Sequence, residues 1–265
     1  MHCGRIANAE APIGLIDSGL GGVSVLHEIR KRLPLERLIY SADRAFCPYG
    51  SLDDSRIRQR VAVLAERLVA DGVKMIVLAC NTATIAAIAE LRARHSIPFV
   101  GMEPAVKPAA RLSQSKVVGV LATGPALAGA KFQQLVKAHA DGVHLLTQAC
   151  PGLVEQVESL CLNGERTDQL LRQYIGPLLE NRADVLVLGC THYPLLREAI
   201  ARVAGPGVQI VDSGEAVARR VHSVLDAGRA LYSGHGSAPI QWHCSRDPVR
   251  LARDAQALLD AQAIG

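Results

Sequence analysis

The sequence predicts an α/β protein of two similar halves, each a parallel sheet wrapped by helices, and three observations predict it. Short apolar runs alternate with longer segments of helical period. Apolar residues make up 49% of the 265-residue chain, enough for a sizeable core and for two domains. Three stretches of the first half return in the second half in the same order.

The strands come first. "IGLI" (13–16), "RLIYSAD" (37–43), "MIVLAC" (75–80) and "IPFVGME" (97–103) are continuous apolar runs, the pattern of strands buried on both faces, and each precedes a segment long enough for a helix. One helix is plain in the stretch from Ser55. Ile57, Val61, Leu64 and Leu68 mark its buried face, Asp53, Asp54 and Ser55 offer the N-cap, and Gly72 closes it. Beyond Gly228 the chain shows no motif, only a last strand and a helix implied by Leu251, Ala255, Leu258 and Leu259.

The repeat pairs "IGLIDSG" (13–19) with "VGVLATG" (118–124), "MIVLACNT" (75–82) with "VLVLGCTH" (185–192), and "FVGMEPA" (99–105) with "IVDSGEA" (210–216). The expected layout is two α/β domains with parallel-sheet cores related by pseudo-symmetry: residues 1–98 plus 210–265 form the first, carrying Cys80, and residues 99–209 the second, carrying Cys190. An active site is expected in the cleft between them, since open parallel sheets bind ligands beyond their strands' carboxyl ends.

Composition excludes several classes. The formal charge is +4, and the Arg-rich pieces "RKRLPLER" (30–37) and "RIRQR" (56–60) read as solvated helix faces. One Trp, five Tyr and three Phe leave little to stack bases, so no nucleic-acid partner is expected. The opening "MHCGRIANAEAPIGLIDSG" lacks a secretory pattern, and no run could span a bilayer, which leads to an expectation of a cytoplasmic protein with no membrane partner. Seven cysteines without dense spacing suggest reduced thiols.

Cys80 and Cys190 both end apolar runs and both precede a polar pair, Asn81-Thr82 and Thr191-His192. Cys3, Cys47, Cys150, Cys161 and Cys244 read as small buried hydrophobes. A zinc site from Cys80, Cys190, His192 and a residue of "WHC" (242–244) is an alternative, although no pair has structural-site spacing; no metal is the expectation. "DSGLGGVS" (17–24), with Asp43 after the second strand, suggests a dinucleotide fingerprint. Ser24 replaces its third glycine and Asp17 would repel a pyrophosphate, so no cofactor is expected.

The strand ends gather Asp17, Ser18, Tyr49, Gly50, Cys80, Asn81, Thr82, Thr123, Cys190, Thr191 and His192. Thiols, hydroxyls, amides and helix N-termini suit a small anionic molecule such as an amino acid. Two opposed thiols suit inversion of a Cα–H centre, one removing a proton while the other delivers one to the opposite face. Helix N-termini after each cysteine are expected to favour its thiolate.

These residues carry a resemblance. From about residue 12 to 228 the chain resembles the cofactor-independent glutamate racemases of the aspartate/glutamate racemase superfamily. The matching segments are "DSGLGG" (17–22), "CPYG" (47–50), "CNTAT" (80–84), "GMEPAVKPA" (101–109), "LATG" (121–124), "ACPGLVEQVE" (149–158), "CTHYP" (190–194) and "DSGEAVA" (212–218). The resemblance implies that Cys190 takes the α-proton of L-glutamate while Cys80 supplies one, with the roles reversed from D-glutamate. Asp17 assists on the Cys80 side, and His192 and Glu158 on the Cys190 side. It also implies that Ser18, Tyr49, Gly50, Asn81, Thr82, Thr123 and Thr191 hold the substrate, and that the enzyme is a cytoplasmic homodimer supplying D-glutamate for peptidoglycan. The alternatives are an aspartate or other amino-acid racemase, or an amino-acid- or metal-binding protein without turnover.

By itself, without that resemblance, Glu158 reads as a solvated helix charge and Tyr49-Gly50 as a turn. Glu103 and Asp212-Ser213 read as turn and N-cap residues. Two features depart from the family pattern: Pro125 removes a hydroxyl and an N–H from the loop after Thr123, and Glu155-Gln156 replaces a proline and an apolar residue near Glu158.

Overall fold

The computed structural model describes residues 8–262 apart from 140–141, 235 and 237–238. Its strands are β1 (Ile13–Asp17), β2 (Leu38–Ala42), β3 (Met75–Leu78), β4 (Phe99–Val100), β5 (Val117–Ala122), β6 (His144–Ala149), β7 (Val185–Leu188), β8 (Gln209–Val211) and β9 (Gln241–Cys244). The helices are α1 (Val23–Arg32), α2 (Asp54–Ala70), α3 (Asn81–Arg94), α4 (Val106–Leu112), α5 (Gly124–Ala128), α6 (Ala130–His139), α7 (Leu153–Glu158), α8 (Glu165–Glu180), α9 (Arg197–Ala204), α10 (Gly214–Ala227) and α11 (Pro248–Gln262). Among the described residues, no helix is long and apolar enough to cross a membrane.

The chain divides into two compact units, Met1–Met102 with Gly214–Gly265, and Glu103–Ser213. The boundaries expected from the sequence, 98 and 209, would separate β4 and most of β8 from their sheets. β4 pairs with β3 through Ile76 and Phe99, and β8 pairs with β7 through Val185 and Gln209. Each short edge strand stays with its ladder, and the crossing falls in the turn beyond it. At that crossing the Ser213 hydroxyl donates to the Glu103 carbonyl, and Arg197 pairs with Asp212.

The first unit holds a five-stranded sheet of order β4-β3-β1-β2-β9, and the second a four-stranded sheet of order β6-β5-β7-β8. All recorded pairings are parallel. Read from the β4 and β8 edges, the two sheets have one order: β1, β2, β3 and β4 correspond to β5, β6, β7 and β8. The three sequence repeats therefore fall on equivalent strands, and β9 is an addition of the first unit.

Parallel strands require crossovers that cover both faces, so residues of either parity are buried. In β1 and β3, Ile16, Ile76 and Leu78 pack with Ile57, Val61 and Leu68 of α2 and Ala83 and Leu91 of α3. In the second unit Val118, Val120, Val185 and Val187 pack with Val106 of α4 and Phe132 of α6. The opposite face is tight enough to require Gly119, where a Cβ would lie 2.7 Å from Leu186 Cδ2 and 2.8 Å from Leu178 Cδ1.

The α2 helix forms as its sequence specifies. The Asp53 side chain caps it by accepting from the Arg56 N–H at 2.9 Å, and Gly72 leaves it with φ +75°, a left-handed conformation that glycine adopts without a Cβ penalty. The Arg-rich piece before β2 departs from the solvated-face reading. Glu36 is buried with Lys74, side chains 2% and 1% exposed, in a 2.6 Å ion pair. Lys74 Nζ also donates to the carbonyls of Ala9 and Ala230, and Glu36 Oε1 accepts from the Tyr232 N–H. Burial lowers the Lys74 pKa, and Glu36 opposes that shift.

Two stability predictions follow from these buried and bracketed charges. Lys74→Met leaves Glu36 buried without its cation, and urea unfolding should show a loss of about 3–5 kcal/mol. Asp184 accepts from the Ser113 hydroxyl at 2.6 Å and from the N–H groups of Gln114 and Ser115 at 2.7 and 2.8 Å. Burial acts to raise its pKa, but those donors outweigh burial and hold it at about 2. A depressed carboxyl stabilises the fold above its unfolded pKa and loses that contribution as pH falls. Wild-type stability should therefore drop between about pH 4 and pH 2, and Asp184→Asn should flatten the drop, as followed by circular dichroism.

Candidate active site

In the first unit the site is built at the carboxyl ends of β1 and β3 and in the loop after β2. β3 ends at Leu78, and Cys80 becomes the N-cap of α3, its sulfur accepting from the Ala83 N–H at 3.4 Å. Donors at a helix N-terminus favour negative charge on what they face. Asn81 and Thr82 open the helix, and Thr84 secures it: its hydroxyl donates to Leu78 O at 3.3 Å and accepts from Met102 N–H at 3.2 Å.

Asp17 ends β1 with no exposed surface, and its Oδ1 accepts from the Gly19 N–H at 2.7 Å. Ser18 is buried beside it, with Cys47 Sγ 3.9 Å from its hydroxyl. The tight turn places Gly22 where a Cβ would lie 2.7 Å from Asp17 Cβ and 2.8 Å from the Tyr40 hydroxyl. Tyr49 and Gly50 lie in a 3-10 turn over Tyr49–Ser51, with the Tyr49 ring buried in the α2–α3 core beside Cys80.

In the second unit Gly189 carries the chain from β7 to Cys190. A Cβ there would sit 3.0 Å from both Ala122 Cβ and Leu121 O, so glycine permits the close approach to β5. Contrary to the sequence expectation, no α-helix starts at Cys190; a 3-10 turn over Tyr193–Leu196 follows His192. Support comes from side chains. Cys190 Sγ lies 3.7 Å from His192 Nδ1, and His192 Nε2 lies 2.9 Å from Glu158 Oε1. Glu158 ends α7 with its side chain 17% exposed, which overturns its reading as a solvated charge. Near it, Gln156 Oε1 accepts from the Thr167 hydroxyl, tying α7 to the start of α8.

Thr191 and His192 are buried next to Cys190, and Thr123 follows the end of β5 one strand away, as the N-cap of α5. The buried Thr123 hydroxyl has no hydrogen-bond partner among the described residues. Pro125 lies in the first turn of α5, where a missing N–H leaves no helix bond unmade.

The remaining cysteines divide. Cys150 is buried as expected, and burial, then its proximity to Cys190, push its pKa up. Cys161 is exposed, and Cys47 and Cys244 are half-buried, against their reading as core hydrophobes. Cys3 lies outside the described residues. Trp242–Cys244 stand on β9, three strands from β3, roughly 14 Å at about 4.8 Å per strand. That is too far for a β9 residue to share a zinc ion with Cys80, given ligand bonds of about 2.3 Å or less.

Sequence reasoning missed Arg60, which it placed on a solvated face. Arg60 is bound to Asp43 through Nε and Nη2, each at 2.9 Å. The available signal was its place between Ile57 and Val61 on the apolar side of α2.

Two α/β units of one strand order, each with a thiol just beyond the equivalent strand and one thiol backed by an imidazole and a carboxylate, define a protein equipped for thiol acid–base chemistry. A family model described as Asp/Glu/Hydantoin racemase matches residues 13–221, and the chain belongs to that family. It is 52% identical to the glutamate racemase of Roseiflexus sp. (strain RS-1), covering 91% of this chain and 89% of that one. The glutamate racemase of Herpetosiphon aurantiacus is 46% identical, covering 94% and 98%. Among solved structures, Escherichia coli glutamate racemase in complex with L-glutamate and the activator UDP-MurNAc-Ala superposes with a TM-score of 0.81 at 31% identity, covering 95% of each chain.

The unpartnered hydroxyl generates a prediction. A buried hydroxyl without a partner costs about 1–3 kcal/mol, so Thr123→Val should leave stability unchanged or raise it by up to about 1 kcal/mol. The same substitution should weaken ligand binding, and urea unfolding with and without an amino-acid ligand separates the two effects.

Proposed function

We propose that this protein is a glutamate racemase that interconverts L- and D-glutamate by proton transfer through Cys80 and Cys190. The observation that carries this reading is the pair of thiols at equivalent strand ends, in a chain 52% identical to a glutamate racemase along nearly its whole length.

The chemistry needs one sulfur ionised and the other protonated. From L-glutamate, the Cys190 thiolate takes the α-proton and becomes a thiol, the carbon's electron pair spreads into the carboxylate, and Cys80 delivers its proton to the opposite face. Cys80 is left as the thiolate, which is the state that D-glutamate requires, so the two directions are one cycle. An ordinary thiol with a pKa of about 8.5 is only about 3% ionised at pH 7, so each sulfur needs help. The Ala83 N–H and the α3 N-terminus support negative charge on Cys80. On the other side, Glu158 accepting from Nε2–H fixes the His192 tautomer whose Nδ1 lone pair faces Cys190, and that nitrogen can take the thiol proton. Asp17 assists next to Cys80.

Ser18, Tyr49, Gly50, Asn81, Thr82, Thr123 and Thr191 hold the substrate's carboxylates and ammonium in this reading. The unpartnered Thr123 hydroxyl supports a ligand contact there. We also propose that the enzyme works in the cytoplasm as a homodimer and supplies D-glutamate for peptidoglycan. The activator bound by the Escherichia coli relative, a UDP-linked muramic acid derivative, supports that wall-related role.

Proton NMR in D₂O, run beside polarimetry, tests the assignment. Wild type should lose the α-proton signal and optical activity with L-glutamate and not with L-aspartate. Cys80→Ser and Cys190→Ser should each cut racemisation by at least about a thousandfold, because a serine hydroxyl cannot replace a thiolate base. Exchange with aspartate alone would move the assignment to that substrate, and binding without exchange would replace the racemase by a binding protein.

A further inference from the structure

Between β2 and α2 the chain makes two short 3-10 turns, over Arg44–Phe46 and Tyr49–Ser51, and the second carries the Tyr49-Gly50 segment. The Tyr49 hydroxyl donates to Asp43 Oδ2 at 2.7 Å. Both oxygens of Asp43 are then gripped by Arg60 from α2, Nε on Oδ2 and Nη2 on Oδ1. The same guanidinium stands 4.1 Å above the Phe46 ring, so Arg60 holds the loop at two separate points. Asp43 has no exposed surface and Tyr49 almost none.

Neither acid in this bridge is suited to exchanging protons near neutrality. Burial, reinforced by the charges of Asp43 and Cys80, pushes the Tyr49 hydroxyl far up, so it stays a donor. Burial also acts to raise Asp43, but Arg60, Tyr49 and Ser245 outweigh it and hold the carboxyl below its ordinary range, so it stays an acceptor. Such a bridge can fix geometry and does not relay protons. A planar fork matched to a carboxylate also sets orientation in a way that a lysine cannot.

We propose that Arg60 is a positioning residue for the substrate: through Asp43 it fixes Tyr49, and with Tyr49 the Tyr49-Gly50 segment that receives the amino acid. This rests on the glutamate racemase reading. Because the thiols perform the proton transfers, loosening the bridge weakens substrate binding far more than it slows chemistry.

The test compares Arg60→Lys, which keeps the charge and loses the fork, with Tyr49→Phe, which leaves the Asp43–Arg60 pair in place, and with the double variant. Thermal unfolding by circular dichroism establishes the folded fraction of each. For L-glutamate, each single change should raise KM about tenfold, the effect of one oriented hydrogen bond, with kcat within about threefold of wild type. The double variant should be no worse than about the weaker single variant, since both changes break one bridge. An unchanged KM in either single variant, effects that multiply in the double, or a fall in kcat at constant KM would each overturn the role of Arg60. Wild-type protein that shows no α-proton exchange would remove the racemase reading and this inference with it, whereas wild-type turnover with normal variant KM removes the inference alone.

Discussion

Everything at the site depends on the strands of each sheet running parallel. Parallel neighbours put every carboxyl end on one edge, and a helix that follows a strand presents its unsatisfied N–H groups at that edge. Residues distant in sequence are thereby collected at one edge by the pairing of their strands. Asp17, the loop after Ala42 and Cys80 come together in the first unit, and Thr123 and Cys190 to His192 in the second. The constraint also explains Gly22 and Gly189, since a chain leaving a crowded strand end must pass close to its neighbours.

A shared strand order does not bring shared local chemistry. Cys80 caps a fourteen-residue helix and receives a backbone N–H, whereas Cys190 is followed by a 3-10 turn and stands next to an imidazole held by a carboxylate. The two supports differ in kind. A helix N-terminus acts as a fixed partial charge, and a histidine can hold or release a whole proton. The proposed inversion of mirror-image substrates requires no mirror-image catalyst, only that each sulfur can be both base and acid.

Local periodicity made the strands, α2 and the repeat legible, because a buried strand or an amphipathic helix writes its pattern into adjacent residues. The cysteine pair at strand ends was legible for the same reason. What could not be read locally was the burial of charges. Glu36 and Arg60 look like surface residues until Lys74 and Asp43 are seen beside them, and such partners lie many residues away. Glu158 by itself also reads as a surface charge for the same reason, its partner His192 standing on another element; only the family resemblance joins the two. The domain boundaries slipped because β4 and β8 are only two and three residues long and belong to their sheets by pairing more than by pattern.

The turn after β1 shows how one motif serves two chemistries. In a dinucleotide fold, glycines after the first strand leave N–H groups free for a pyrophosphate, and an acid after the second strand meets a ribose. Here the Gly19 N–H is taken by Asp17, Gly22 lies against Asp17 and Tyr40, and Asp43 is filled by Arg60 and Tyr49. The glycine-rich turn still follows the first strand, but these groups are occupied by partners within the chain. An acid that in a dinucleotide fold would meet a ligand is here bonded to Tyr49 and Arg60 of its own chain, so a carboxylate's place in a fold identifies its function only together with its partners.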